Sequence, residues 1–253
     1  MKQALYGATG TRKTLQIGHL IDAFGADKVG IVSCERGLGT IASRLTEPHV
    51  FHANSMEDFR AAFDWARKRA AADPAGWICV DGGTRVMQWS AGEIWAGTDE
   101  AFVHLAMGKP KNELRDSVKP YLRFIAKEGD INGQAQWIEI GKKGDRLLNA
   151  WVTLPCNIYW TFWETQTSID QYRKGLPWQV DAPGTASRDA IMGSFDFVFR
   201  LSYDGETLVA TADPANRVAR AKVRDDWKVR QVKKEMRDFN LAQFVNYLKG
   251  DGA

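Results

Sequence analysis

Cysteine is scarce in this chain of 253 residues: only Cys34, Cys79 and Cys156, each in or beside an apolar run. Their spacing matches no metal pattern, and they read as reduced core thiols rather than a disulfide framework. Long hydrophobic runs are missing as well. No stretch approaches the roughly 18 residues of a membrane span, and no leader-like segment precedes Lys2-Gln3-Ala4-Leu5-Tyr6. The expectation is a cytoplasmic protein with no membrane partner. A dominant charge is also absent: 34 Lys and Arg face 31 Asp and Glu, a net charge of +3. That balance permits nucleic-acid binding without requiring it, so any basic surface must be local. No internal repeat is visible, which excludes a solenoid. What the chain does have is 44% hydrophobic residues, enough for a sizeable core in one large domain or a domain with insertions. Most of its ten tryptophans fall in apolar periodic segments and read as core. Trp163 and Trp178 stand nearer the candidate site, where an indole could stack on a base.

The first residues organise the rest. Ala4-Leu5-Tyr6 suits a buried strand, and Gly7-Ala8-Thr9-Gly10-Thr11-Arg12-Lys13-Thr14 follows as a glycine-bearing loop. Ile17, Leu20, Ile21 and Phe24 then recur at helical spacing before Gly25, a suitable helix C-cap. Strand, loop and helix in that order are the context of a phosphate-binding loop. Backbone N–H groups of such a loop point into one concavity, and the helix dipole favours an anion there. Lys13 would reach the β- and γ-phosphates of ATP, and the Thr14 hydroxyl would hold Mg²⁺. One position departs from G-x-x-x-x-G-K-[ST]: Arg12 stands where the second glycine belongs. Glycine is usual there because the backbone must approach the phosphates. Arg12 would either weaken binding or add a guanidinium contact to phosphate.

Further strands are expected at Lys28–Ser33, His49–His52, Gly76–Asp81, Asn157–Glu164, Phe195–Leu201, Thr207–Thr211 and Arg217–Arg224. Helices are expected over 40–45, 56–71, 86–95, 118–126, 137–154 and 240–248, with 165–192 read as a loop rich in Gly, Pro, Ser and Asp. Strands alternating with helices give an α/β fold with a mainly parallel central sheet, helices on both faces and a C-terminal antiparallel extension. The domain division is 1–225 as core, with an insert at about 86–146, and 226–253 as a helical tail.

Two acids stand where chemistry would need them. Asp81 ends an apolar strand, the place from which an aspartate would hold Mg²⁺. Gly82 and Gly83 follow it, so a water-activating carboxylate must come from elsewhere. Glu35 ends the strand after the phosphate-loop helix. A parallel sheet gathers its strand C-termini at one edge, where Glu35 would polarise a water as general base.

On these residues the chain resembles RecA-like P-loop ATPases. The shared pattern is a phosphate loop (Gly7 to Thr14), a glutamate ending the next strand (Glu35), an aspartate with no following glutamate (Asp81) and a polar residue ending the strand after that (Glu164). More narrowly it resembles phage-encoded ATP-binding proteins of this class, some of which are single-strand-annealing recombinases. The features are the loop beginning almost at Met1, the form G-x-x-G-x-x-K-T, Leu154-Pro155 before the fifth strand, and the late Phe195-Asp196-Phe197-Val198. The resemblance covers roughly residues 1–225. It implies a DNA-stimulated ATPase with Mg²⁺, a single-stranded DNA partner, a homo-oligomeric ring or filament, a role in phage recombination or replication, and residence in the host cytoplasm. Relatives carry glutamine or histidine as γ-phosphate sensor where this chain has Glu164 or Trp163, with Thr161 as a fallback. By resemblance Lys222 and Arg224 match basic residues that reach a neighbouring subunit's ATP. Alternation of Arg220, Lys222 and Arg224 suits a solvated sheet edge equally well.

The loop at 165–192 holds Gln166, Tyr172, Arg173, Lys174, Trp178 and Arg188, basic groups beside aromatics as single-strand binding uses. A second segment offers Lys109, Lys111, Arg115 and Lys119. Three other readings stay open. A packaging or translocation motor would want a glutamate beside Asp81. A small-molecule kinase would want an arginine-rich lid and leaves Glu35 without a role. A nucleotide-gated binding module would fit Arg12.

Overall fold

The computed structural model describes residues 1–45, 48–126, 129–166, 178–211, 222–223 and 235–250. Among the described residues ten strands form one sheet system: β1 Lys2–Gly7, β2 Val29–Ser33, β3 Val50–His52, β4 Trp77–Asp81, β5 Asn157–Gln166, β6 Trp178–Val180, β7 Phe197–Asp204, β8 Thr207–Thr211, β9 Lys222–Val223 and β10 Glu235–Arg237. The helices are α1 Lys13–Phe24, α2 Met56–Ala72, α3 Gly83–Ala106, α4 Gly133–Val152, α5 Gly184–Ser194 and α6 Leu241–Lys249. The strand order is β10-β8-β7-β1-β5-β4-β2-β3. From β7 to β3 every neighbouring pair is parallel, while β8 and β10 extend the sheet antiparallel. The α/β fold with a mainly parallel sheet, helices on both faces and an antiparallel C-terminal extension is therefore the fold of this chain.

Period-two alternation of buried strands fills two cores. Tyr6, Val80, Ile158, Trp160 and Phe162 point to the face covered by α2 to α5. Leu5, Cys79, Tyr159 and Phe199 point to the face covered by α1 and α6. Ser55 caps α2 by accepting the Asp58 N–H, which satisfies one orphan donor of the first turn. Trp77, Trp151 and Trp160 are fully buried. Trp95 and Trp137 are not; they meet edge to face at the surface, 5.6 Å apart. All three cysteines are buried and free. Among the described residues no helix is long and apolar enough to cross a membrane.

Several local expectations need correction. The stretch 165–192 is not a plain loop: β5 runs on to Gln166 and pairs with β6, and α5 follows. The helix lacks an apolar stripe because it packs by close approach of small residues. A Cβ on Gly141 would overlap that of Ala186, and one on Gly144 would lie 3.3 Å from Ser187 Oγ. β7 is parallel to β1 rather than antiparallel, since α5 carries the chain back across the sheet before it. The segments at 40–45 and 118–126 form 3₁₀ turns, Arg36–Arg44 and Lys119–Phe124, and α3 is far longer than its predicted 86–95.

Gly7 shows how tightly β7 is drawn against the loop. A Cβ there would overlap the Leu201 carbonyl oxygen and lie 2.8 Å from Thr11 Oγ1. Gly7→Ala is expected to cost roughly 1–3 kcal/mol by overpacking. A melting temperature equal to that of the parent chain would refute this register.

Candidate active site

The sheet's C-terminal edge gathers the predicted residues. β1 delivers Gly7 between Trp163 of β5 and Leu201 of β7. The loop then turns through two left-handed residues, Gly10 at φ 87° and Arg12 at φ 56°. The second explains why glycine is the expected residue at position 12: an L side chain in that region costs roughly 1–3 kcal/mol. The Arg12 guanidinium lies over the Tyr203 ring at 5.8 Å, and Tyr203 Oη donates to Gly10 O at 3.5 Å. Tyr203 thus ties β7 to the loop from outside, a role the sequence pattern does not signal.

Lys13 opens α1, and its Nζ donates to Gly7 O at 2.8 Å and Ala8 O at 2.7 Å. The ammonium therefore sits in the mouth of the loop. Burial pushes its pKa down, opposed by the charges of Glu35, Asp81 and Glu164. Tyr159 Oη donates to Lys13 O at 2.8 Å, which anchors the first turn of α1 to the sheet. Thr11 Oγ1 donates to Ala8 O at 2.8 Å and closes the loop on itself.

Asp81 ends β4 and is buried. Its carboxylate accepts from Thr161 Oγ1 at 2.8 Å and from Thr14 Oγ1 at 3.1 Å. Burial raises its pKa, with the two hydroxyls and Lys13 opposing. Beside this pair the chain passes as Gly37, where a Cβ would lie 3.0 Å from Asp81 Oδ2 and 3.2 Å from Thr14 Oγ1. The hydroxyl and carboxylate thus face a space kept open by a glycine, a donor set that suits Mg²⁺ completed by phosphate oxygens and waters. Among the described residues no cluster of three or more His, Cys, Asp or Glu is present.

Glu35 follows β2 and turns toward the same edge. Its Oε2 accepts from Trp163 Nε1 at 3.2 Å, and its Oε1 is buried without a partner. Burial, followed by the Asp81 charge, raises its pKa. Gly82 at φ 107° makes room for it: a Cβ there would lie 2.7 Å from Glu35 Cγ. Trp163 therefore orients Glu35, a pairing of residues from β5 and β2 that only the sheet creates.

Glu164 has a different setting. It accepts from Arg200 Nε at 2.8 Å in a well-buried ion pair, and Arg200 in turn lies over the Trp178 ring at 5.1 Å. Lys222 pairs with Val198, level with Ala4 rather than with Gly7. Arg220 and Arg224 lie outside the described residues, as do Tyr172, Arg173 and Lys174.

No protein-family model matches the chain, and no curated protein matches it. Among solved structures it is similar to a prototypical ATPase from the type III secretion system of pathogenic bacteria. The identity is 14% and the TM-score 0.41, over 79% of this chain and 52% of that one. The chain thus spans about half the length of that ATPase. At this distance the likeness says nothing of substrate, partner or assembly.

Proposed function

We propose that the chain binds ATP with Mg²⁺ and hydrolyses it, and that it does so on DNA. The observation that carries the ATPase reading is the meeting of Lys13, the Thr14–Asp81 pair and Glu35 at one sheet edge. The N–H groups of 8–14 and the Lys13 ammonium would receive the phosphates. Thr14 and Asp81 would hold Mg²⁺, which when bound neutralises charge developing on the transferred phosphoryl group. Glu35, ionised and held by Trp163, would take the proton of the attacking water. Thr161, whose hydroxyl donates to Asp81, would couple the end of β5 to the Thr14–Asp81 pair.

The DNA reading is supported by the resemblance and by the basic and aromatic composition of the segment 165–192. Phosphate release from Mg²⁺–ATP, measured with and without single-stranded DNA, tests both. Stimulation should appear at low salt and fade steeply as salt rises, because phosphate contacts release counterions. Arg173→Ala combined with Lys174→Ala should weaken binding to all sequences and flatten that slope. Hydrolysis that ignores DNA at low salt would remove the DNA half; absence of hydrolysis would remove both. A role in phage recombination or replication is part of the same proposal.

We further propose that subunits associate, with Lys222 or Arg224 meeting the neighbour's γ-phosphate. Activity per subunit should then rise with protein concentration, and Lys13→Ala mixed with Lys222→Ala should recover turnover. Turnover per subunit that stays flat on dilution, with no recovery on mixing, would leave the two residues as a charged edge.

A further inference from the structure

The hydrolysis proposed above uses Glu35 as the base that Trp163 holds. Glu35 also lines a cavity of about 780 Å³ at the ends of β2 and β3 and the start of α3. The cavity adjoins the proposed catalytic edge, but none of the steps above employs its Arg36, His52, Arg85 or Trp89. Its walls include Arg36, His52, Arg85, Trp89 and Trp163. Arg36 and Arg85 are exposed, and neither takes part in an ion pair among the described residues. Arg85 lies over the Trp163 ring at 5.7 Å, and the edge of that same ring donates to Glu35 Oε2.

We propose that this cavity is a second ligand site for a nucleotide unit, a planar base carrying a phosphate, and that its occupancy reaches Glu35 through Trp163. Two indoles supply stacking faces, and two guanidiniums that form no salt bridge among the described residues supply phosphate contacts; Arg85, one of them, also acts electrostatically on Glu35. An acidic peptide would use the guanidiniums and leave the indoles idle; an uncharged metabolite would do the reverse. A base stacked on Trp163 must displace Arg85 from that face. The indole then shifts, and with it the N–H that holds Glu35. The binding half of this proposal stands alone, while the relay rests on the hydrolysis proposed above. The nucleotide unit could be free or part of a strand, and the two sources are separable.

Binding of labelled thymidine monophosphate and of a thymidine oligonucleotide of about ten residues is measured without ATP. Trp89→Ala and Arg85→Ala should each weaken binding about tenfold, while Trp89→Phe restores it and Lys13→Ala binds as the parent does. Binding of the monophosphate places a free nucleotide in the cavity; binding of the oligonucleotide alone places a strand there. Failure of both probes, or equal binding by all variants, overturns the site. Turnover of Mg²⁺–ATP is then followed with the probe that binds. It should change severalfold in the parent chain and not in Trp163→Phe. Turnover that ignores a bound probe overturns the relay and leaves the ATPase proposal standing. Absence of turnover, with Trp89-dependent binding intact, overturns the ATPase proposal and the relay but not the site.

Discussion

Lys13→Ala is expected to abolish ATP hydrolysis, lowering turnover by roughly 10³-fold or more. The ammonium lies within hydrogen-bond distance of the Gly7 and Ala8 carbonyls, in the concavity where β- and γ-phosphates would lie. A charge prepositioned in that way acts on the transition state without reorganising. Alanine removes it and leaves the packing of α1 untouched, because the buried face of that helix is made by Ile17, Leu20 and Ile21. Melting temperature should therefore change little while phosphate release disappears. A variant that hydrolyses ATP at the parent rate would show that the loop does not bind the reacting phosphates.

Glu35→Gln should lower turnover by roughly 10²-fold or more and leave nucleotide affinity near that of the parent chain, as expected when a general base is lost. The amide keeps the shape and can still accept from Trp163. What it cannot do is take a proton. The pH dependence offers an independent check. Burial and the neighbouring Asp81 charge raise the Glu35 pKa above the ordinary 4.5. The base works only when ionised, so turnover should rise with pH through a value above that of a free glutamate. The Trp163 hydrogen bond favours the ionised form, so Trp163→Phe should move that rising limb to higher pH. A limb at the ordinary glutamate position, or one unmoved in Trp163→Phe, would assign the base elsewhere.

Much of this site was legible from spacing alone. The phosphate loop, Asp81 and Glu35 each end or follow an apolar run, and a parallel sheet brings such ends together whatever its details. Pairings across the sheet were not legible. Trp163 reaches Glu35 and Glu164 reaches Arg200 only because β5 lies between β4 and β1, with β7 beyond. Gly37 and Gly82 look like ordinary loop glycines until the atoms that a Cβ would strike are known. α5 was missed for a different reason. Helix recognition depends on an apolar stripe, and a helix seated on Gly141 and Gly144 through Ala186 and Ser187 does not need one. Arg12 was recognised as a departure, but its left-handed backbone and the Tyr203 ring beneath it belong to the folded chain.

The docking of α6 on α1 bears on what holds the phosphate loop in shape. Gln16 Oε1 accepts from the Leu241 N–H at 2.9 Å, and Gln16 Nε2 donates to Phe239 O at 3.4 Å. The helix that presents Lys13 is thus sealed by residues 223 and 225 positions later in the sequence. β1 is hydrogen-bonded on one side to β5 and on the other to β7, both of which lie much later in the sequence. The phosphate loop therefore takes its frame from segments remote in sequence: β5 and β7 flank the strand that leads into it, and α6 holds the helix that follows it. Removal of α6 is then expected to loosen the helix that presents Lys13 and to weaken the proposed nucleotide binding, although every residue of the loop is still present.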